Sequence, residues 1–287
     1  MIRTLATVTL LAYLPSVEIT AGEDLGKALV FHAPFDYSPD AAVAGGDQRL
    51  FTTETGNPKD GKPGLHRGDV TLVSDGRHGS ALRFGTTNPA RLYFRAEDTV
   101  PYKPDGWSAT FSLWLRLNPG KDLKPGYSDP FQITDKKWND AALFLDFTKD
   151  DVPRSFRLGV FSDTAHWNPK KRKWNDIPEA ERPLVTVTYP PFSRPNWTHV
   201  VVTCANFNTS GDKGKATLFL NGKPRGALDG AQTFTWDLSK TAMFLGIDYI
   251  GELDDFAVFD RALTATEVAA LHKLKGGVET LYAEKPK

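Results

Sequence analysis

Between Ser108 and Leu117 the side chains alternate in character: Phe111, Leu113, Leu115 and Leu117 fall on one side, Ser112, Trp114 and Arg116 on the other. A repeat of two places successive residues on opposite faces of a pleated strand, so this segment predicts a strand with one face in a core. The same chemistry recurs in Lys27–Phe31, Arg91–Phe94, Ala141–Phe147, Phe156–Phe161, Leu184–Thr188, His199–Cys204, Ala216–Leu220 and Phe256–Phe259. Turn formers punctuate the runs, as in Asp75-Gly76, Asn118-Pro119-Gly120, Asn221-Gly222 and Asp229-Gly230. Asn221-Gly222 directly after an apolar run is a hairpin signal, because a tight hairpin turn needs positive φ at both central residues. One segment reads as a helix. Thr264 and Glu267 form a capping box, followed by Val268, Leu271 and Leu274 on one face, with an end near Lys273. Many short strands with a single helix predict an all-β antiparallel sandwich.

Composition narrows the function. The 287 residues carry 35 Lys plus Arg against 35 Asp plus Glu. A balanced chain lacks the basic face that nucleic acid requires, so no nucleic-acid partner is expected and neutral ligands are favoured. The basic run Lys170–Lys173 is followed closely by Asp176, Glu179 and Glu181 and reads as a solvated loop. A single cysteine, Cys204, excludes a disulfide framework and sits in an apolar strand as a core residue. Met1-Ile2-Arg3, the apolar run Leu5–Val17 and the small residue Ala21 have the layout of a secretory signal peptide cleaved after residue 21. The run is too short to span a bilayer, and no membrane span follows. The expectation is an exported protein, secreted or periplasmic, with a domain over 22–275 and a polar tail over 276–287.

Several segments, in order, resemble the laminin-G-like branch of the concanavalin A-like lectin/glucanase superfamily. They are Phe35-Asp36, Gly79-Ser-Ala-Leu-Arg-Phe84, Ser112-Leu-Trp114, Trp197-Thr-His199, Leu218-Phe-Leu-Asn221-Gly222 and the closing Gly251-Glu-Leu-Asp254-Asp-Phe-Ala257…Asp260-Arg-Ala-Leu263…Glu267. The resemblance implies a two-sheet antiparallel jelly roll with one short C-terminal helix. Against a compact member of that family, the stretch of about 121–194 reads as a long loop insertion.

Three kinds of chemistry follow from the resemblance. Glucanases of this fold carry a Glu-x-Asp-x-x-Glu strand, and retaining hydrolysis needs two carboxyls about 5 Å apart. The nearest match, Glu252-Leu-Asp254-Asp-Phe-Ala257, has Ala257 where the acid/base belongs, so no catalytic residue is assigned. A hydrolase or lyase using another set is the alternative. Members also bind Ca²⁺ through Asp side chains and carbonyls. Asp36 and Asp254 border strands that neighbour each other in a jelly roll and are the metal candidates, the opposing expectation being that they hold turn amides. Within the insertion, Lys137-Trp138-Asn139-Asp140 and Lys173-Trp174-Asn175-Asp176 repeat one tetrapeptide, with His166-Trp167-Asn168 between them. Indole faces with adjacent Asn, Asp and His suit a sugar or another extracellular or envelope ligand. Equally, such tryptophans can pin a long loop to the sheet. The expected function is a non-catalytic carbohydrate- or ligand-binding domain, with a plain adhesion module as a further alternative.

Overall fold

A computed structural model describes residues 24–211 and 213–282. The expected signal segment lies outside them, as do residues 283–287 of the expected tail. Two antiparallel sheets face each other. The first has nine strands, and its path runs Lys223–Asp229, Lys215–Leu220, Thr198–Phe207, Trp107–Arg116, Gly251–Phe259, Leu29–Ala33, Val43–Ala44, with Ala81–Phe84 attached to Gly251–Phe259 and Val70–Val73 to Ala81–Phe84. The second has eight: Leu184–Val187, Phe156–Phe161, Ala142–Phe147, Ser128–Thr134, Ala242–Ile247, Arg91–Arg95, Phe51–Thr53 and Lys62–Pro63. This is the sandwich that the alternating runs predict.

The inner faces meet in one core. Phe111, Leu113 and Leu115 of the first sheet oppose Phe131, Ile133, Leu143 and Leu145 of the second. Phe111 and Phe131 lie 5.3 Å apart between ring centres, and Phe131 and Phe256 5.4 Å. At one end Trp107 packs edge-on to Phe207 and tilted against Trp236, whose indole N–H donates to the carbonyl of Ala141.

The outer face of the first sheet is not left to solvent. Val201, Phe219, Ala257 and Phe259 meet Leu25, Val268, Leu271 and Val278 in a second apolar cluster. The helix Ala265–His272 supplies part of that lid, and both halves of the Thr264/Glu267 capping box form. Leu274 falls beyond the helix end, but Val268 and Leu271 bury the predicted face. The chain after Gly276 is more than a polar tail. Val278 is buried, and its N–H lies within reach of both carboxylate oxygens of Asp255. Asn221 and Gly222 both have positive φ, as the tight hairpin between Lys215–Leu220 and Lys223–Asp229 demands.

The long 121–194 stretch is not one loop. It contributes four successive strands to the second sheet, and two of the irregular parts between them are 135–141 and 162–183. Four paired strands satisfy the main-chain polar groups that a bare loop of that length would leave to water.

Candidate functional site

The second sheet turns one face outward. In Ala142–Phe147 the residues Leu143, Leu145 and Phe147 enter the core, so Phe144 and Asp146 face away. In Phe156–Phe161 the same alternation sends Arg157 and Phe161 outward. These side chains, with Asp129, Gln132, Tyr127, Trp138 and Trp174, line a cleft of about 570 Å³. That volume lies in the range of small-ligand pockets.

The aromatic wall is built from both irregular stretches. Trp138 and Trp174, the two tryptophans of the repeated tetrapeptide, meet edge to face at 5.7 Å. Trp138 also sits edge-on to Phe161 at 5.5 Å, and Phe161 stacks on Phe144 at 17°. Trp138 keeps 47% of its surface exposed. The guanidinium of Arg182 lies 4.5 Å from the Trp174 ring centre. Tyr127, just before the strand Ser128–Thr134, carries the Arg157 guanidinium over its ring at 4.9 Å. Aromatic surface therefore occurs at both ends of that strand, with polar groups between.

The polar floor has one committed pair and two uncommitted groups. Asp146 stands opposite Arg157 in register, and Arg157 grips it with a fork: Nε donates to Oδ1 at 2.8 Å and Nη2 to Oδ2. Burial raises the Asp146 pKa even against that guanidinium. Asp129 has no side-chain hydrogen bond or ion pair among the described residues, and neither does Gln132, which is only 6% exposed. Burial pushes the Asp129 carboxyl well above the usual carboxylate range, and the neighbouring Asp146 charge adds to the push.

The other residues of the two tetrapeptides and the His-Trp-Asn segment serve the loops. Trp167 is a pin: its indole N–H donates to the Asn139 carbonyl at 2.9 Å and its ring stands edge-on to Phe161. Asp140 accepts from the Thr164 amide, and both side-chain ends of Asn168 close the loop onto Arg172. His166, Asn175 and Asp176 are exposed and lie outside the cleft lining. Both expectations for the insertion tryptophans thus find a residue: Trp167 anchors, while Trp138 and Trp174 face a cleft. Asp129, Gln132, Asp146, Arg157 and Tyr127 were missed. Asp146 and Arg157 did carry a signal, since each interrupts an apolar strand at an outward position of the alternation.

Asp36 and Asp254 are brought to one place, through the pairing of Leu29–Ala33 with Gly251–Phe259. They grip a hairpin end. Asp254 Oδ2 accepts from the amides of Arg77 and His78 at 2.6 and 2.9 Å, and Asp36 Oδ1 accepts from Ser80 at 2.7 Å. Gly79 has φ of +76°, and a Cβ there would stand 1.9 Å from Asp36 Oδ1, so only glycine allows this approach. Calcium wants six to eight oxygen ligands. Here one oxygen of each carboxylate is taken by main-chain donors, and no group of three or more His, Cys, Asp or Glu able to hold a metal occurs among the described residues. Asp254 Oδ1 is left without a partner among the described residues, and Asp36 engages only its Oδ1, but two carboxylate oxygens are not a calcium cage. The residues do not fit the ion.

The sequence profile of the concanavalin A-like lectin/glucanases superfamily, in its laminin-G form, matches residues 93–269, most of the sandwich including the cleft and the Asp254 strand. The chain belongs to this superfamily. No curated protein sequence matches it. Among solved structures it is similar to the botulinum neurotoxin serotype D binding domain, with 11% identity and a TM-score of 0.56 over 88% of this chain and 52% of that one. It is also similar to that toxin's ligand-binding domain in complex with N-acetylneuraminic acid, with 10% identity and a TM-score of 0.53 over 88% and 52%. A further similarity is to domain 4 of AbnA, an extracellular arabinanase from Geobacillus stearothermophilus, in complex with arabinotriose, with 15% identity and a TM-score of 0.47 over 84% and 96%. The chain spans about half the length of the toxin domains. At these identities the likeness is one of fold. No described helix of this superfamily member is long and apolar enough to cross a membrane.

Proposed function

We propose that this protein is an exported binding module that takes a carbohydrate into the cleft on the outer face of its second sheet. The observation that carries the reading is the meeting of Trp138 and Trp174 beside a floor whose Asp129 and Gln132 have no side-chain partner among the described residues. Exposed indole supplies an apolar platform for a sugar's C–H face, and unpaired polar groups that are buried or partly buried find their hydrogen bonds in a bound ligand. The leader-like start of the sequence supports export, and a sugar bound by a toxin domain of the same fold agrees with the ligand class.

Binding is favoured over cleavage by the state of Asp146. It is 3% exposed and both of its oxygens are held by Arg157, so it is not free to act with its neighbour Asp129 as the second carboxyl of a double displacement.

A glycan array tests this reading, with reducing-end assays on the retained glycans. Trp138→Ala is expected to reduce retention about tenfold, the scale of one lost aromatic contact, with its melting temperature within about 2 °C of wild type because the ring is half exposed. Trp167→Ala is expected to lower the melting temperature instead, since it removes a loop pin. Silence on every glycan, or release of reducing ends, would overturn the proposal.

A further inference from the structure

Asp129 sits where the strand pairing is irregular. Phe147 pairs with Ser128 and Leu145 with Phe131, so three steps along one strand face two along the other. The extra residue is a bulge next to Pro130, which has no N–H to lose from the ladder. Bulges re-aim side chains, and this one places Asp129 in the cleft beside Asp146 rather than in the core. On the other side Asp129 is in register with Ile247 and close to Asp248.

The charges facing it come from every strand around the floor. Asp146 and Asp248 are acidic; Arg157 and Arg91 are basic. Arg157 is committed to Asp146 by its fork, and Arg91 lies 5.9 Å over the Phe244 ring with no carboxylate partner among the described residues. Of the cleft lysines, Lys136 is tied to Asp163 and Thr235, while Lys137 is exposed. Asp129 is therefore a carboxyl beside two other carboxyls, and the nearest guanidinium fork is already spent. Such a group keeps its proton when it is also screened from water.

We propose that Asp129 enters ligand binding as a carboxylic acid, its hydroxyl donating a hydrogen bond to an acceptor-only oxygen of the bound glycan. A ring oxygen, an acyl carbonyl or a carboxylate of an acidic sugar offers that chemistry. Gln132, three residues along on the same floor, supplies an amide that reads a neighbouring hydroxyl. The inference rests on the carbohydrate reading of the cleft and adds a regulation to it: capture weakens as Asp129 loses its proton. Below its titration point, binding moves no proton. Above it, each binding event takes one up, so the association constant falls tenfold per pH unit. Among the described residues the lining includes no histidine or cysteine that would mimic this profile.

The experiment is an array of defined oligosaccharides (neutral, N-acetylated and uronate- or sialate-bearing) probed from roughly pH 5 to pH 9 with wild type and the Asp129→Asn variant. The class retained identifies the acceptor. Wild-type retention is expected to fall tenfold per unit above a midpoint, and the variant, which keeps a donor but cannot ionise, is expected to hold its retention across the range. Flat wild-type retention, or a variant as pH-dependent as wild type, overturns the inference and leaves the carbohydrate reading standing. Silence from both proteins at every pH sinks the carbohydrate reading instead. An NMR titration of the Asp129 carboxyl carbon in the free protein then decides the proton by itself: a midpoint in the ordinary carboxylate range overturns the acid form.

Discussion

Replacing Arg157 with alanine is expected to cost about 3–5 kcal/mol of folding stability, the scale of breaking one side of a buried ion pair. In a domain of this size that is a fall in melting temperature of roughly 10 °C. Asp146 is 3% exposed, and its two oxygens have Arg157 as their hydrogen-bond donor. Without the guanidinium the carboxylate is left in a low-dielectric floor, with Asp129 alongside. It must then either stay charged without a partner or take up a proton, and each choice is paid against folding. The cation over Tyr127 disappears as well. The cause can be separated from simple loss of side-chain bulk. The double variant Asp146→Leu/Arg157→Leu removes both charges and keeps apolar volume on the floor, so it is expected to recover most of the loss. Thermal melts and urea titrations at neutral pH measure all three proteins. If Arg157→Ala melts within about 2 °C of wild type, or the double variant is worse than the single one, the floor is wetter than its burial implies.

That pair also marks how far the sequence could be read. The two-residue alternation of 108–117 translates directly into the strand Trp107–Arg116, with Phe111, Leu113 and Leu115 in the main core. Its other face misleads. Ser112 and Trp114 are buried too, Ser112 against His199 and Trp114 stacked on both His199 and His272, because the helix and both terminal segments cover that sheet. The strand Gly251–Phe259 is buried at every position for the same reason. Period counting sees which side of a strand is apolar, not whether a second layer lies over the polar side. The site was half legible. Trp138 and Trp174 stood out as a repeated tetrapeptide, but their contact depends on the pairing of Ala142–Phe147 with Phe156–Phe161, which swings two distant loops together. Asp129 carried no signal at all, since a bulge is a property of two strands in register and neither sequence shows it alone.

Asp254 is expected to make the folded protein lose stability as pH rises. Burial pushes its pKa from 3.8 up to about 8, with the charge of Asp255 adding to the rise and the His78 and Arg77 amides acting against it. The residue is 0% exposed. Between those two values the folded chain holds a proton on Asp254 that the unfolded chain has released. The unfolded state then binds fewer protons, so the slope of unfolding free energy with pH is negative. The contribution is greatest below about pH 4 and is lost as pH climbs through about 8. At 1.36 kcal/mol per unit the shift sets a ceiling of about 6 kcal/mol, and a loss of about 2 kcal/mol is expected once water entry and relaxation soften the burial. Asp254→Asn should flatten this slope, because an amide oxygen can still accept from Arg77 and His78 while the group cannot ionise. Asp129 and Asp146 are shifted in the same direction, so the quantity to measure is the difference between wild type and the variant by urea titration from about pH 5 to about pH 9, in which their terms cancel. The same curve decides between the two expectations for Asp36 and Asp254. A calcium ion would favour the ionised carboxylate and lower its pKa, which removes the slope between about pH 5 and about pH 9, and EDTA would then lower the melting temperature. With the carboxylates fastening the hairpin through main-chain amides, wild type is expected to weaken toward alkaline pH and EDTA to leave its melt unchanged. A difference between wild type and Asp254→Asn that stays flat across the range, together with a melt that EDTA lowers, would return the pair to a cation.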